Sequence, residues 1–371
     1  MVRVRKTVAS LAPYQPGRSL ETVARERGTV DAIKLASNES LWGPSPRARA
    51  AAMRALEQCH LYPEVRWEPL QRALADLVGT VPEAILVGNG ADELLRVLAT
   101  ALLEPGDEAL VLSPSFSYYR TAVLLAHGTP VAVPLTEDGA PDLEQVLAHL
   151  TPRTRLVYLC SPNNPTGNIL RQPTWQTFLD RLPDHVLVVV DQAYVEFATD
   201  PALPNLVRDI AAGRPVAMVR TLSKAYGLAG LRIGWMMADP ALIRQLERVR
   251  DPFAVNVVAL YAALAAIEDQ EWLKMVVGET VTARVRVAAA LAHRGLAFYP
   301  SQANFLTFAV PVAAEVAADR LEAYGVIVRP AHSFGLDRHL RVTLGPEWAM
   351  RRFLDALDRV LAELDHGPFC R

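Results

Sequence analysis

Four short segments concentrate the residues able to do chemistry, and one of them holds a scarce amine. Of 38 basic residues only four are lysines (Lys6, Lys34, Lys224 and Lys274), and the rest are arginine. The arginine excess reads as a bias of composition, but it leaves few candidates for lysine chemistry. Lys224 lies in Thr221-Leu222-Ser223-Lys224-Ala225-Tyr226-Gly227-Leu228-Ala229-Gly230-Leu231-Arg232. Small residues there let a bulky group come close to the backbone. A surface lysine would account for the amine, but not for the glycines and alanines, nor for the Ser223 hydroxyl and Arg232 beside it.

The other three segments each also read as ordinary local structure. Gly88-Asn89-Gly90-Ala91-Asp92-Glu93 follows an apolar run and opens a helix. It is either a tight turn or an anion site, because a helix N-terminus offers free N–H groups and positive potential. Ser161-Pro162-Asn163-Asn164-Pro165-Thr166-Gly167 makes a turn whatever its function, and it can present an Asn amide to a ligand oxygen. Asp191-Gln192-Ala193-Tyr194 leaves the run Val186–Val190. A carboxylate at the end of a buried strand is costly unless paired. It caps the next helix, or it faces a metal or a cationic ring nitrogen. No His or Cys cluster stands near it, so the ring nitrogen is preferred and no metal is expected.

Taken together, the four segments specify one ligand. It has a phosphate for the helix N-terminus, Ser223 and Arg232, and a carbonyl for Lys224 to attack as a Schiff base. It has a pyridine-like nitrogen for Asp191, and an oxygen for Asn164 and Tyr194. Pyridoxal 5′-phosphate satisfies every one of these requirements.

Several other classes are excluded. No lysine stands in a P-loop, and Glu93 occupies the third glycine position of a dinucleotide fingerprint. There is no His-Glu-x-x-His and no Gly-x-Ser-x-Gly. The three cysteines (Cys59, Cys160 and Cys370) are far apart, which argues against a disulfide framework or structural zinc. A net charge of −2 offers no field for nucleic acid or an anionic membrane. The longest apolar run, Val257–Ile267, falls far short of the ~20 residues that span a bilayer. Thr7–Ala12 is too short and mixed for a signal segment, so a cytoplasmic protein is expected.

The elements that must position these segments follow from periodicity. Between residues 84 and 238, near-continuous apolar runs alternate with helical patterns such as Ala91–Leu103 and Ser117–His127. The runs are Ala84–Val87, Ala109–Leu112, Pro130–Pro134, Leu156–Leu159, Val186–Val190, Val216–Val219 and Ile233–Ala238. This pattern predicts an α/β fold with a mostly parallel, open sheet covered by helices, and ligands bind such sheets at the carboxyl ends of their strands. The tail predicts two long helices over 256–295, a strand at Asn304–Ala309 and a helix near 312–323. Short strands near 326–329 and 339–343 follow, with a last helix from Glu347. That is a smaller α+β unit. At 371 residues the chain accommodates two domains. The expected division is 1–35 as an N-terminal segment on the small unit, 36–260 as the large ligand-binding domain, and 261–371 as the small domain.

Thr221–Gly230 resembles the lysine-site signature of the pyridoxal-phosphate aminotransferases in full. Asn164-Pro165-Thr166-Gly167, Asp191-x-x-Tyr194 and Arg232 are similar to the fold-type-I members in order and spacing. The closer likeness is to the histidinol-phosphate aminotransferases. It rests on Pro13–Gly17, Lys34-Leu35-Ala36-Ser37-Asn38-Glu39, Tyr62-Pro63-Glu64, Gly90–Glu93, Ser301–Phe305 and Leu340–Gly345. The resemblance implies a fold-type-I large domain plus a small α+β domain. It implies transamination of L-histidinol phosphate with 2-oxoglutarate, in two half-reactions that share the Schiff-base lysine.

Residue by residue, the resemblance makes Lys224 the cofactor-bonding amine and the base that moves the Cα proton. Asp191 would keep the ring nitrogen protonated. Asn164 and Tyr194 would bond the ring's 3′-oxygen, and Phe116 would stack on the ring. Ala91, Asp92, Ser223 and Arg232 would hold the cofactor phosphate, with Tyr62 reaching it from the neighbouring subunit of a homodimer. Arg341 would bind the carboxylate of glutamate, while Arg329 and Tyr14 would help hold the substrate phosphate. Asn38 is carried over as a further substrate contact. Phe116 departs from a frequent Tyr, which keeps stacking and loses a hydroxyl. Aromatic amino-acid aminotransferases and threonine-phosphate decarboxylases share these motifs. A non-enzymatic effector domain would need an added basic DNA-binding unit, for which the chain has neither spare length nor charge.

Overall fold

The computed structural model describes residues 2–9, 11, 13, 17–28 and 31–365. Among them the strands are β1 (Ile33–Lys34), β2 (Ile85–Gly88), β3 (Glu108–Ser113), β4 (Thr129–Pro134), β5 (Thr154–Cys160), β6 (Leu187–Asp191), β7 (Val216–Thr221), β8 (Gly234–Met237), β9 (Phe305–Ala309), β10 (Val326–Ile327), β11 (Arg329–Pro330) and β12 (His339–Thr343). Seven of them form the central sheet in the order β2-β8-β7-β6-β5-β3-β4. Its pairs are parallel except those made by β8, which is antiparallel to β2 and β7. The fold is therefore α/β with a mostly parallel sheet.

The near-continuous apolar runs arise because both sheet faces are covered, and the pleat sends alternate residues to opposite sides. Val157, Leu159, Val188, Val190, Val216 and Met218 join one core. Their neighbours Leu156, Tyr158, Val189, Ala217 and Val219 join the other. Pairing carries two strands past their apolar ends. β6 runs to Asp191, which lies opposite Cys160 and Val219, and β7 runs to Thr221, opposite Gly234. The polar residues after the runs are thus held by the ladder itself.

The second unit has the antiparallel sheet β11-β12-β9. Its core takes residues from β9, β12 and the helices Ala314–Ala323 and Glu347–Asp365. Helix Gln270–His293 joins the two units, packing Leu273 and Val277 on the large core and Ala283, Val287 and Leu291 in the small one. Ala262, Ala263, Ala266 and Ile267 still belong to the large core. β1 adds to β10 in parallel. Helix Leu20–Arg27 is tied to the small unit by Arg18 and Arg27, which reach Glu322 at 2.9 and 2.7 Å. Helix Lys6–Ala9 instead rests on helix Tyr118–Leu125 of the large unit. No described helix is long and apolar enough to cross a membrane.

Candidate active site

A cavity of about 1090 Å³ opens where the carboxyl ends of the central strands meet the small sheet. Its wall includes Ala91, Asp92, Phe116, Asn164, Asp191 and Tyr194, together with Ser223, Lys224, Arg232, Arg329, Arg341 and Asn38. Most of the residues singled out in the sequence converge here, although they come from loops hundreds of residues apart.

Lys224 sits just beyond β7. Gly227 makes this loop possible: its φ is +70°, and a Cβ there would lie 2.4 Å from the Gly43 carbonyl oxygen. The Lys224 Nζ donates to the Ser37 carbonyl at 3.0 Å. Burial, with the Arg341 guanidinium adding to it, lowers the lysine to about 8. An amine so depressed is neutral often enough near pH 8 to act as nucleophile or base.

Asp191, the last residue of β6, is 4 % exposed. One carboxylate oxygen accepts from the Tyr119 hydroxyl at 2.7 Å, and the other accepts from the Ala193 N–H at 3.0 Å. Burial raises its pKa to about 6, against the pull of these hydrogen bonds. Such a carboxylate is ready to pair with a cation brought into the cavity. Tyr119 escaped the sequence reading. It is fully buried and stacked on Tyr158, with centroids 5.3 Å apart. The available signal was its place three residues after Phe116 at a helix start, which gives the two rings a shared face; they meet edge to face at 5.6 Å.

Helix Gly90–Leu102 begins at the cavity with Ala91 and Asp92 on the wall. Gly90 has φ +79°, and a Cβ on it would lie 2.6 Å from the Arg232 Nη2. Glycine thus lets a guanidinium sit against the helix start. Arg232, itself at φ 55°, pairs with Asp92 at 3.2 Å. Burial raises the Asp92 pKa, while Arg232 and then Lys224 oppose it. Ser223 accepts from the Thr221 hydroxyl at 2.9 Å. Free helix N–H groups, a hydroxyl and an arginine at one spot form an anion pocket.

From the small sheet, Arg329 in β11 and Arg341 in β12 are direct cross-strand partners. Arg341 is only 6 % exposed. It donates to the Asn164 Oδ1 at 2.5 Å and to the Ala36 carbonyl at 2.9 Å, with its guanidinium 5.3 Å from the Phe305 ring centroid. Arg329 reaches the Ser333 hydroxyl at 3.4 Å. Like charges opposite each other on a ladder are unfavourable, and both arginines line the cavity. The pair is suited to a dianion, or to two anionic groups of one ligand.

One expected residue lies elsewhere. Tyr62 is 82 % exposed and stacked on Phe253 at 4.6 Å, outside the cavity of its own chain. Tyr14 lies outside the described residues. Among those residues no His, Cys, Asp and Glu group is suited to a metal.

The sequence model of the family Aminotransferase class I and II matches residues 30–357. The histidinol-phosphate aminotransferase of Symbiobacterium thermophilum is 42 % identical over 364 residues, covering 98 % of this chain and all of that protein. That of Moorella thermoacetica is 41 % identical over 361 residues, covering 97 % and 93 %. Among solved structures, histidinol-phosphate aminotransferase from Sinorhizobium meliloti in complex with pyridoxal-5′-phosphate superposes with a TM-score of 0.88 at 32 % identity, covering 98 % and 99 %. Aspartate aminotransferase of Thermus thermophilus with maleate gives 0.83 at 26 %, covering 97 % and 100 %.

Proposed function

The chain belongs to the class I and II aminotransferase family, and from that premise we propose that it transfers the amino group of L-histidinol phosphate to 2-oxoglutarate with pyridoxal 5′-phosphate as cofactor. The observation that carries the substrate is the cross-strand pair Arg329–Arg341 in the cavity wall. It brings two guanidiniums from the small sheet to the cavity that Lys224, Ser223 and Arg232 also line, so the cavity has cationic groups for a second anion.

The residues fit the cofactor. The helix start at Gly90, left open for Arg232 by the missing Cβ, takes a phosphate. The buried Asp191 carboxylate suits a protonated ring nitrogen, Phe116 supplies an aromatic face on the wall, and the Lys224 amine stands among them. When bound, pyridoxal phosphate supplies an aldehyde that takes the amino group and a ring that draws electrons from the substrate's α-carbon. The protein's part is to bind, orient and move protons. Tyr119 and the Ala193 N–H hold Asp191 in one orientation. Asn164 is held by Arg341, which links the cofactor side of the cavity to the substrate side. Once its amine is released, Lys224 is the base that removes the proton from the substrate's α-carbon and returns it on the cofactor side. The arginine wall holds the phosphate of one substrate or the carboxylates of the other in turn.

We further propose a cytoplasmic homodimer with shared sites, in which Tyr62 reaches the partner's cofactor phosphate. Met53, Leu56, Leu61, Tyr62 and Val65 together expose large apolar side chains on this chain, a density that marks an interface. The division into an N-terminal segment, a large domain and a small domain is likewise proposed, with helix Gln270–His293 as the connection and the large domain extended past residue 260 to take in Ala262, Ala263, Ala266 and Ile267. A substrate panel tests the function. Histidinol phosphate, phenylalanine, tyrosine and threonine phosphate are each offered with 2-oxoglutarate, and glutamate and CO₂ are measured. Preferred glutamate formation from histidinol phosphate is expected. Preference for an aromatic amino acid, or release of CO₂ from threonine phosphate, overturns it.

A further inference from the structure

We propose that Asn38 is a positioning residue that fixes the direction in which the Tyr194 hydroxyl gives its proton. The inference rests on the cofactor reading above and goes beyond it. Asn38 is 1 % exposed and has φ 56°, a left-handed conformation that asparagine tolerates better than most residues. Its backbone and side chain are tied on every side. Its N–H donates to the Thr343 hydroxyl at 2.9 Å, and its carbonyl accepts from the Asn304 amide at 3.1 Å. The two preceding carbonyls, Ala36 and Ser37, take Arg341 and Lys224. This one turn therefore touches the substrate arginine, the lysine and the tyrosine.

The side-chain amide can be oriented from its partners. The Thr343 oxygen already accepts from the Asn38 N–H, so its own hydrogen turns to the Asn38 Oδ1 at 3.4 Å. That leaves the amide nitrogen at the Tyr194 hydroxyl, 3.1 Å away. Asn38 can only donate there. Tyr194 must accept, and its own hydrogen has to point away from Asn38. Tyr194 lies on the cavity wall with the Lys224 Nζ 5.9 Å from its ring centroid. The phenol therefore offers a hydrogen to whatever oxygen the ligand places beside it, and it favours that oxygen in its anionic form. With the cofactor on Lys224, this lowers the pH at which the cofactor–lysine link loses its proton.

The test is a pH titration of the visible absorption of the pyridoxal-phosphate-loaded protein, a reading independent of turnover. Asn38→Gly keeps the left-handed turn and removes the amide. Its midpoint should rise by about half to one pH unit. Asn38→Asp also keeps the turn but replaces the donor by an acceptor that draws the Tyr194 proton toward itself, so its midpoint should rise further. Tyr194→Phe should raise the midpoint as well, and Asn38→Gly added to Tyr194→Phe should change it no more. Wild-type midpoints in both Asn38 variants, with a shifted Tyr194→Phe, overturn this inference alone. A full Asn38→Gly shift persisting on the Tyr194→Phe background overturns it too, since the effect then bypasses the phenol. A wild-type protein that binds no pyridoxal phosphate overturns the function proposed above, and this inference with it.

Discussion

Arg329→Met separates what the arginine pair does for the fold from what it does for the substrate. Arg329 stands opposite Arg341 on the β11–β12 ladder, and both guanidiniums face the cavity. Arg341 donates to protein oxygens at 2.5 and 2.9 Å, whereas Arg329 has the longer contact to Ser333 at 3.4 Å. Arg329 thus has more donor capacity left for a ligand. Losing a charge-assisted pair to a phosphate costs about 2–3 kcal/mol. At ~1.4 kcal/mol per tenfold, kcat/KM for histidinol phosphate should fall roughly 30- to 150-fold. Glutamate, whose carboxylate is assigned to Arg341, should lose at least about tenfold less. Stability should move the other way. Methionine keeps the apolar stem, and removing one of two opposed like charges relieves roughly 0.2–1 kcal/mol, so Tm should hold or rise by a degree or two. The assay is each half-reaction measured alone by the change in cofactor absorption, with thermal unfolding of the apo-protein alongside. Equal losses for both substrates would refute Arg329 as the phosphate ligand. A clear fall in Tm would refute the claim that the pair is kept for binding rather than for the fold.

Three further outcomes are expected. Lys224→Ala should abolish both the visible absorption of bound cofactor and turnover, and Lys224→Arg should behave the same way, because a guanidinium cannot form the Schiff base; activity in either refutes the role. Asp191→Asn should lose most turnover while retaining cofactor. Its apo-protein should gain stability over wild type as pH rises from 3.8 to about 6, the window in which burial penalises the native carboxylate, and show no advantage below it; denaturant midpoints across pH 3.5–7 that run parallel would count against the buried charge. Mixing Tyr62→Ala with Lys224→Ala protein under subunit exchange should restore activity that neither has alone, since one site of the hybrid dimer is intact. Failure to recover any activity, with hybrids shown to form, argues that Tyr62 does not act across subunits.

The sequence alone determined the α/β layout and the cofactor, and it supplied the residues proposed to contact it. Each rests on a local pattern: an apolar run buried on both faces, followed at once by polar and small residues that the strand end must present. Lys224 after β7, Asp191 at the end of β6 and Ala91–Asp92 at a helix start are legible because strand, loop and helix are contiguous in the chain. The tertiary structure decided what those residues are held by. Arg329 faces Arg341 only through the register of an antiparallel pair. Tyr119 reaches Asp191 across 72 residues, and Asn38 reaches Thr343 across 305. These contacts join segments far apart in the chain, with no periodicity in common. A one-residue slip would turn the side chains to the other face. Chemistry could thus be read from residue types, whereas proton direction, charge pairing and the arrangement of the substrate wall depend on register and packing.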